Sequence, residues 1–272
     1  MKKRMLILCL ALIPALMLAQ VQQTTKKKTV QQQPVQLNKN IKADMKLVKP
    51  VEPEEPVDPA LTARQKAYNW LAPFKSYHLL TVDQMATLKT LDLSTGSPVI
   101  NGVSRDIYMC DDSLVHLLAL TSLESITLPR WSTNAALAYL SQMPSLKSLG
   151  LGDTKINHQG IASLPVMPNV ETVILYGTAV NNNTMQILMQ KFPGLRVLNV
   201  ASTPVTDQGL AYLLPNNGLE ILMLTRGSFT DACIPTLIQF TGLKTIGIEF
   251  TQISAAGRQQ LRNAFPNATI IP

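Results

Sequence analysis

The sequence predicts an α/β fold: a right-handed solenoid of stacked repeats, with parallel strands on its concave face and short helices on its convex face. Three observations carry this prediction. An L-x-x-L-x-L pattern starting at Leu123 returns at spacings of 23, 24, 25, 24 and 24 residues. The L-x-L core alternates with period two, which puts its aliphatic side chains on one side of a short strand. In five of the repeats the twelfth position holds a good helix cap (Asn157, Asn181, Thr206, Thr230 or Ser254), and an apolar-periodic stretch follows. One strand and one short helix cannot close a core alone, but stacked copies can.

The chain opens differently. Lys2-Lys3-Arg4 precedes a 15-residue apolar run from Met5 to Ala19, and polar Gln20-Val21-Gln22-Gln23 follows. A basic start, an apolar core of this length and a small residue at its end form the pattern of a secretory leader, here residues 1–19. A membrane-spanning helix needs about 20 apolar residues and disfavours an interior proline such as Pro14. Cleavage is expected after Ala19. Met17 is large for its place two residues before, so an uncleaved anchor stays open as the alternative. Cys9 is not expected to carry lipid, because Leu8 precedes it where a small residue is wanted. Export to the periplasm, the cell surface or the medium is the expectation.

Residues 20–60 read as a disordered tether. Seven glutamines between Gln20 and Gln36 mix with lysines, and Pro50, Pro53, Pro56 and Pro59 then recur every third residue. The first part has too little apolar surface to order itself, and the second favours extended polyproline-type chain. Its basic tract could associate peripherally with an anionic envelope surface, although a plain solvated spacer explains it as well.

Charge gains meaning only by location. The whole chain has a formal net charge of +7, with 15% charged and 46% hydrophobic residues. The leader holds +3, the tether seven lysines against five acids, and residues 61–272 hold 14 basic against 12 acidic groups. The part expected to fold is close to neutral, so nucleic-acid binding loses its electrostatic support.

Residues 61–87 are expected to form an N-terminal helical cap, with an amphipathic helix over 61–75 that buries Ala63, Ala67, Trp70, Leu71 and Phe74. The repeat domain spans 88–272. Its first strand, Leu88-x-x-Leu91-x-Leu93, lies 35 residues before the next, and the excess of 11 falls in a loop from Thr95 to Arg105. Cys110–Leu114 resumes the helical half. At the other end, Ala268-x-x-Ile271 is expected to begin a last strand, 25 residues after Leu243.

Leu195–Leu210 and Leu146–Ile161 best fill the register L-x-x-L-x-L-x-x-T-x-[IV]-[TN]-x-x-G-[LI]. The register resembles the 24-residue leucine-rich repeats of bacterial proteins (the GALA-like class) and, more loosely, those of ribonuclease-inhibitor type. The resemblance covers residues 88–272 and implies a horseshoe whose concave face binds a protein partner. In that family an Asn or Cys at the ninth position bonds to backbone in the buried turn. Thr154, Thr178, Thr203 and Thr251 stand there, and a hydroxyl can do the same. Trp131 and Gly227 depart from the pattern, so the turns at 129–134 and 225–229 are expected to bulge or widen.

Two features face outward. The second position reads Lys89, Glu124, Lys147, Glu171, Arg196, Glu220, Lys244, alternating in sign at every step. Strands about 4.8 Å apart would let each charge meet opposite neighbours, a self-satisfied ladder rather than a charged docking surface. The remaining outward positions are small or polar in early repeats: Ser125, Thr127, Ser148, Gly150, Gly152 and Asp153. Later repeats carry Ile174, Tyr176, Val197, Ile221, Met223, Arg226, Glu249 and Phe250. These eight are the candidate protein-binding residues, an apolar patch with charges at its rim; strand propensity alone is the competing explanation.

Catalytic machinery is not expected. His78, His116 and His158 lie at no metal-ligand spacing, and His116 belongs to an apolar helix where packing is the simpler role. No phosphate-cradling glycine loop or nucleophile elbow occurs. Asp153, Asp207 and Asp231 fall at turn or cap positions. Cys110 and Cys233 lie in different repeats, read as small buried hydrophobes rather than a bridge. No cofactor or metal is therefore expected, and the chain reads as a monomeric, non-catalytic protein-binding module. A structural, self-assembling envelope protein is the alternative. Glycan binding is a weaker third reading, resting on Tyr176 and Phe250.

Overall fold

The structure, a computed structural model, describes residues 59–71, 81–94, 99–100, 103–104, 111–215 and 218–272. The leader, the tether up to residue 58, Phe74, His78 and Cys110 lie outside the described residues. Those described belong to one compact unit, Glu55–Pro272.

Helices α1 (Pro59–Leu71) and α2 (Val82–Ala86) precede strand β1 (Thr90–Asp92). α1 begins two residues before the expected boundary. It buries Ala67 and Leu71, while Trp70 packs partly against the core. Ala63, expected inside, is exposed. α2 opens with a capping box: Thr81 Oγ1 accepts from Gln84 N–H, and Thr81 N–H donates to the Gln84 side chain.

The inserted segment is more than a loop. Its β2 (Val99–Ile100) and β3 (Val103–Ser104) pair antiparallel. A 3-10 helix, Asp111–Ala119, then leads into the regular repeats. Their strands are β4 (Ser125–Thr127), β5 (Ser148–Gly150), β6 (Thr172–Ile174), β7 (Val197–Asn199), β8 (Ile221–Met223), β9 (Thr245–Gly247) and β10 (Thr269–Ile271). With β1 they form one open, all-parallel sheet in chain order. Short helices α3 (Leu137–Leu140), α4 (His158–Ser163), α5 (Asn182–Lys191), α6 (Asp207–Leu210), α7 (Ile234–Leu237) and α8 (Ala255–Ala264) alternate with the strands, several beginning or ending in a 3-10 turn.

The first, fourth and sixth positions of the repeats are buried, from Leu123, Ile126 and Leu128 to Leu243, Ile246 and Ile248. The eleventh position adds Ile156, Val180, Val205, Phe229 and Ile253. Turn locking occurs as the threonines predict. The hydroxyls of Thr154, Thr178, Thr203 and Thr251 donate to the carbonyls of Leu151, Leu175, Val200 and Ile248 at 2.6–2.7 Å.

Neither departing turn widens. The first is one residue shorter: Ser132 occupies the eleventh-position slot, fully buried, and Thr133 caps the following helix. This deletion is why the first spacing is 23 rather than 24. At the second, a Cβ on Gly227 would lie 2.3 Å from the Phe229 ring, so the larger eleventh residue takes the space a threonine would need. The last strand also shifts by one: Thr269 pairs Thr245 and Ile270 pairs Ile246, so Ile270, not Ile271, continues the buried row.

A second ladder links the helix starts. Side-chain oxygens of Asp111, Asn134, Asn182, Asp207 and Asp231 accept from the backbone N–H of Thr133, Asn157, Thr206, Thr230 and Ser254, at 2.8–3.1 Å. Each residue lies at or next to one cap and satisfies the cap of the next repeat. His158 interrupts the series: Asn181 N–H turns instead to Thr184 Oγ1 at 3.2 Å. Thr206, expected to cap with its own hydroxyl, makes no such bond; that oxygen accepts from Asn182.

Candidate binding face

Side chains at the third and fifth positions project from the strand face. Pairing sets Val197 beside Ile221, Ile174 beside Asn199, and Asn199 beside Met223. The four apolar residues are half-buried and follow a zigzag across β6, β7 and β8, with polar Asn199 between Ile174 and Met223. Asn199 is not among the sequence candidates, yet it sits at their centre and accepts from Ala201 N–H at 2.9 Å.

Tyr176 and Met223 each lean over a glycine in a neighbouring repeat. A Cβ on Gly152 would fall 2.2 Å from the Tyr176 ring, and one on Gly247 would fall 2.4 Å from Met223 Cε. Tyr176 therefore tilts toward the earlier repeat and Met223 toward the later one. Tyr176 is 38% exposed and Phe250 72% exposed. Three repeats separate them, about 14 Å at the usual strand spacing, too far for one shared aromatic platform.

At the leading edge, where the strands begin, the alternating charges resolve into two triads. Glu124 bonds Lys89 and also Lys147 at 2.8 Å. Glu220 bonds Arg196 and also Lys244 at 2.9 Å. Hydrogen bonds from Lys147 and then Lys89 draw the Glu124 carboxyl down to about 2, and Lys244 and Arg196 lower that of Glu220. Glu171, between the triads, makes no ion pair among the described residues, so the expected continuous ladder has a gap there. A groove of about 730 Å³ runs along this edge, lined by Lys89, Glu124, Lys147 and Glu171 with Pro144 and Pro168.

At the trailing edge the eighth residue of successive repeats turns left-handed: Asp153 (φ 55°), Gly177 (φ 67°), Ser202 (φ 53°), Arg226 (φ 57°) and Phe250 (φ 55°). The turn aims the backbone N–H of Asp153, Gly177, Ser202 and Arg226 at a carbonyl of the next repeat, at 2.7–2.9 Å, prolonging the sheet's ladder past its strands. Only Gly177 takes this conformation without steric cost; Asp tolerates it, and for bulky side chains it is a genuine outlier. Arg130, in the corresponding place one repeat earlier, reaches Asp153 at 3.1 Å. Arg226 lies over the Phe250 ring, 5.1 Å from its centroid. Arg226, Glu249 and Phe250 thus form the trailing rim of the face. Nothing in the L-x-x-L-x-L pattern announces these left-handed turns; the glycine and short polar residues at three of the five positions are their only sequence trace.

Two further titratable groups, His116 and Cys233, have packing roles. His116 stacks near Trp70, centroids 6.0 Å apart, and burial followed by the nearby Lys66 holds its imidazole below the ordinary value. Burial, with Asp207 nearby, pushes the buried Cys233 thiol up to about 12, which leaves it unreactive at neutral pH. No group of three or more potential metal ligands occurs among the described residues.

No family model matches the chain, and no curated protein matches it in sequence. Among solved structures it is similar to an internalin from Listeria monocytogenes, at 15% identity and a TM-score of 0.44, over 69% of this chain and 62% of that one. It is also similar to a leucine-rich-repeat protein from Leptospira interrogans, at 12% identity and a TM-score of 0.39, over 57% of this chain and 50% of that one. In both pairs the match spans less than two-thirds of the other protein. The chain's own 24-residue period, in-register parallel sheet and threonine-locked turns identify its fold as a leucine-rich-repeat solenoid.

Proposed function

We propose that the chain is an exported, non-catalytic module that binds another protein through the strand face between Ile174 and Phe250. The observation that carries this reading is the change of side chains along one continuous sheet. The outward rows hold Ser125, Ser148 and Gly150 early, then Ile174, Val197, Ile221 and Met223. Half-exposed aliphatic and Met side chains rimmed by charges have the composition of an interface core, whereas the early half offers nothing large to desolvate. Export rests on the leader over residues 1–19, and the 20–60 tether would hold cap and repeats away from the envelope. Among the described residues no helix is long and apolar enough to cross a membrane.

The test is capture of a partner from envelope extract by the full chain, compared with Tyr176→Asp and Met223→Asp. Both substitutions should abolish capture while leaving Tm within about 4 °C, the scale of ~1 kcal/mol in a domain of this size. Undiminished capture by both variants would sink the site assignment.

A further inference from the structure

Two neighbouring turns on the trailing edge hold bulky residues in a conformation that glycine or asparagine normally takes. The backbones of Arg226 and Phe250 stand at φ 57° and 55°. Their side chains meet, the guanidinium carbon 5.1 Å from the ring centroid. A guanidinium in such contact with a ring is pre-oriented, and its remaining N–H donors suit a planar, two-oxygen acceptor. Other arginines on this sheet have found that acceptor within the chain: Arg130 on Asp153 and Arg196 on Glu220. Arg226 makes no ion pair among the described residues. Phe250, at 72% exposure, is the most exposed of the large apolar side chains described. Met223 and Ile221 lie in the same repeat as Arg226, so the cation borders the apolar strip.

We infer that Arg226 and Phe250 form a carboxylate-recognition pair, so that the partner docks here with a single Asp or Glu set among apolar residues. The inference rests on the protein-binding reading and names the chemistry of its partner. Glu249, one residue before Phe250, places a negative charge beside the pair, which disfavours a run of acids. One carboxylate is recognised, not a polyanion. The backbone supports the geometry, because Arg226 N–H donates to the Glu249 carbonyl at 2.8 Å and ties the two turns together.

The experiment pans a random twelve-residue peptide library on the full chain. Selected peptides should carry one acid flanked by apolar residues, and each should bind at least tenfold more weakly when that acid becomes its amide. Arg226→Gln should erase the acid-over-amide preference, and Arg226→Lys should restore only part of it. Peptides without acid enrichment, a preference that survives Arg226→Gln, or a library that yields no binder would each overturn the inference. So would capture of neutral glycans by Phe250 independent of Arg226. Tyr176→Asp and Met223→Asp separate the two ideas. If they bind the acidic peptides as well as the parent, the wider strand face fails while the carboxylate pair stands. If acid and amide peptides bind the parent equally and both variants lose them, the face stands and the pair fails.

Discussion

The leading and trailing edges of the strand sheet both carry charge, and they use it in opposite ways. At the leading edge Glu124 sits between Lys89 and Lys147, and Glu220 between Arg196 and Lys244. Those charges are spent on one another. At the trailing edge Arg226 turns to a ring rather than a carboxylate, on backbone held in a disfavoured conformation. A charge that recurs at the strand spacing and pairs with its neighbours, as around Glu124 and Glu220, is poor evidence of a partner. A charge displayed from a strained turn, with no ion pair among the described residues, is better evidence. The comparison also separates two kinds of order: backbone bonds link successive repeats at both edges, the leading edge adds side-chain ion pairs, and the trailing edge adds left-handed turns.

That difference sets the expected sizes of substitution effects. The largest belongs to the trailing backbone. Gly177→Val combines a φ of 67° with a Cβ 2.2 Å from Asp153 Oδ1, and should cost about 2 kcal/mol or more, lowering Tm by several degrees. Phe250→Gly at the equivalent turn should leave Tm nearly unchanged, because relieved strain offsets the greater freedom of the unfolded glycine. Equal losses in the two variants, measured by thermal denaturation, would show that the left-handed turns carry no strain.

An intermediate effect is expected inside the turns. Thr203→Val keeps the shape but leaves the Val200 carbonyl without its 2.6 Å hydroxyl partner, and should cost about 1 kcal/mol in urea denaturation. A neutral result would mean the hydroxyl bonds only follow the turn and do not hold it.

The smallest belongs to the leading charges. Glu124→Gln should shift Tm by about 2 °C or less at pH 7, since exposed pairs are screened. Its pH dependence is nevertheless diagnostic. The folded carboxyl titrates at about 2, below the ordinary 4.5. Its contribution is therefore complete above about pH 4.5 and disappears as pH falls through 2. The parent and the variant should differ at pH 6 and converge at pH 2. A constant gap over that window would mean the triad contributes nothing.

Much of this molecule is legible in the chain because solenoid packing is local. Each apolar position meets its own equivalent one repeat away, so period and alternation alone identify the buried residues from Leu123 to Ile248. Cap residues could be read for the same reason, as at Asn157 and Asn181. The face was legible only in part. Ile174, Val197, Ile221 and Met223 do neighbour one another, but Asn199 between them and the glycines beneath Tyr176 and Met223 emerge only from pairing. The first turn misleads because a one-residue deletion and an unusual residue look alike in sequence: Trp131 stands at the expected threonine position, while the buried eleventh-position slot has moved to Ser132. Register at β10 fails similarly, since Ile270 and Ile271 are equally apolar.

By itself the sequence determined the repeat, the parallel sheet, the core and the alternation of charges, all of which follow from side-chain identity at fixed spacing. Tertiary structure decided which charges pair, where Glu171 is left out, and that the eighth residue turns left-handed to bring Arg226 onto Phe250. The physical reason is that burial depends on pattern, whereas ion pairs and backbone handedness depend on distances and angles between repeats. A one-dimensional spacing does not carry those.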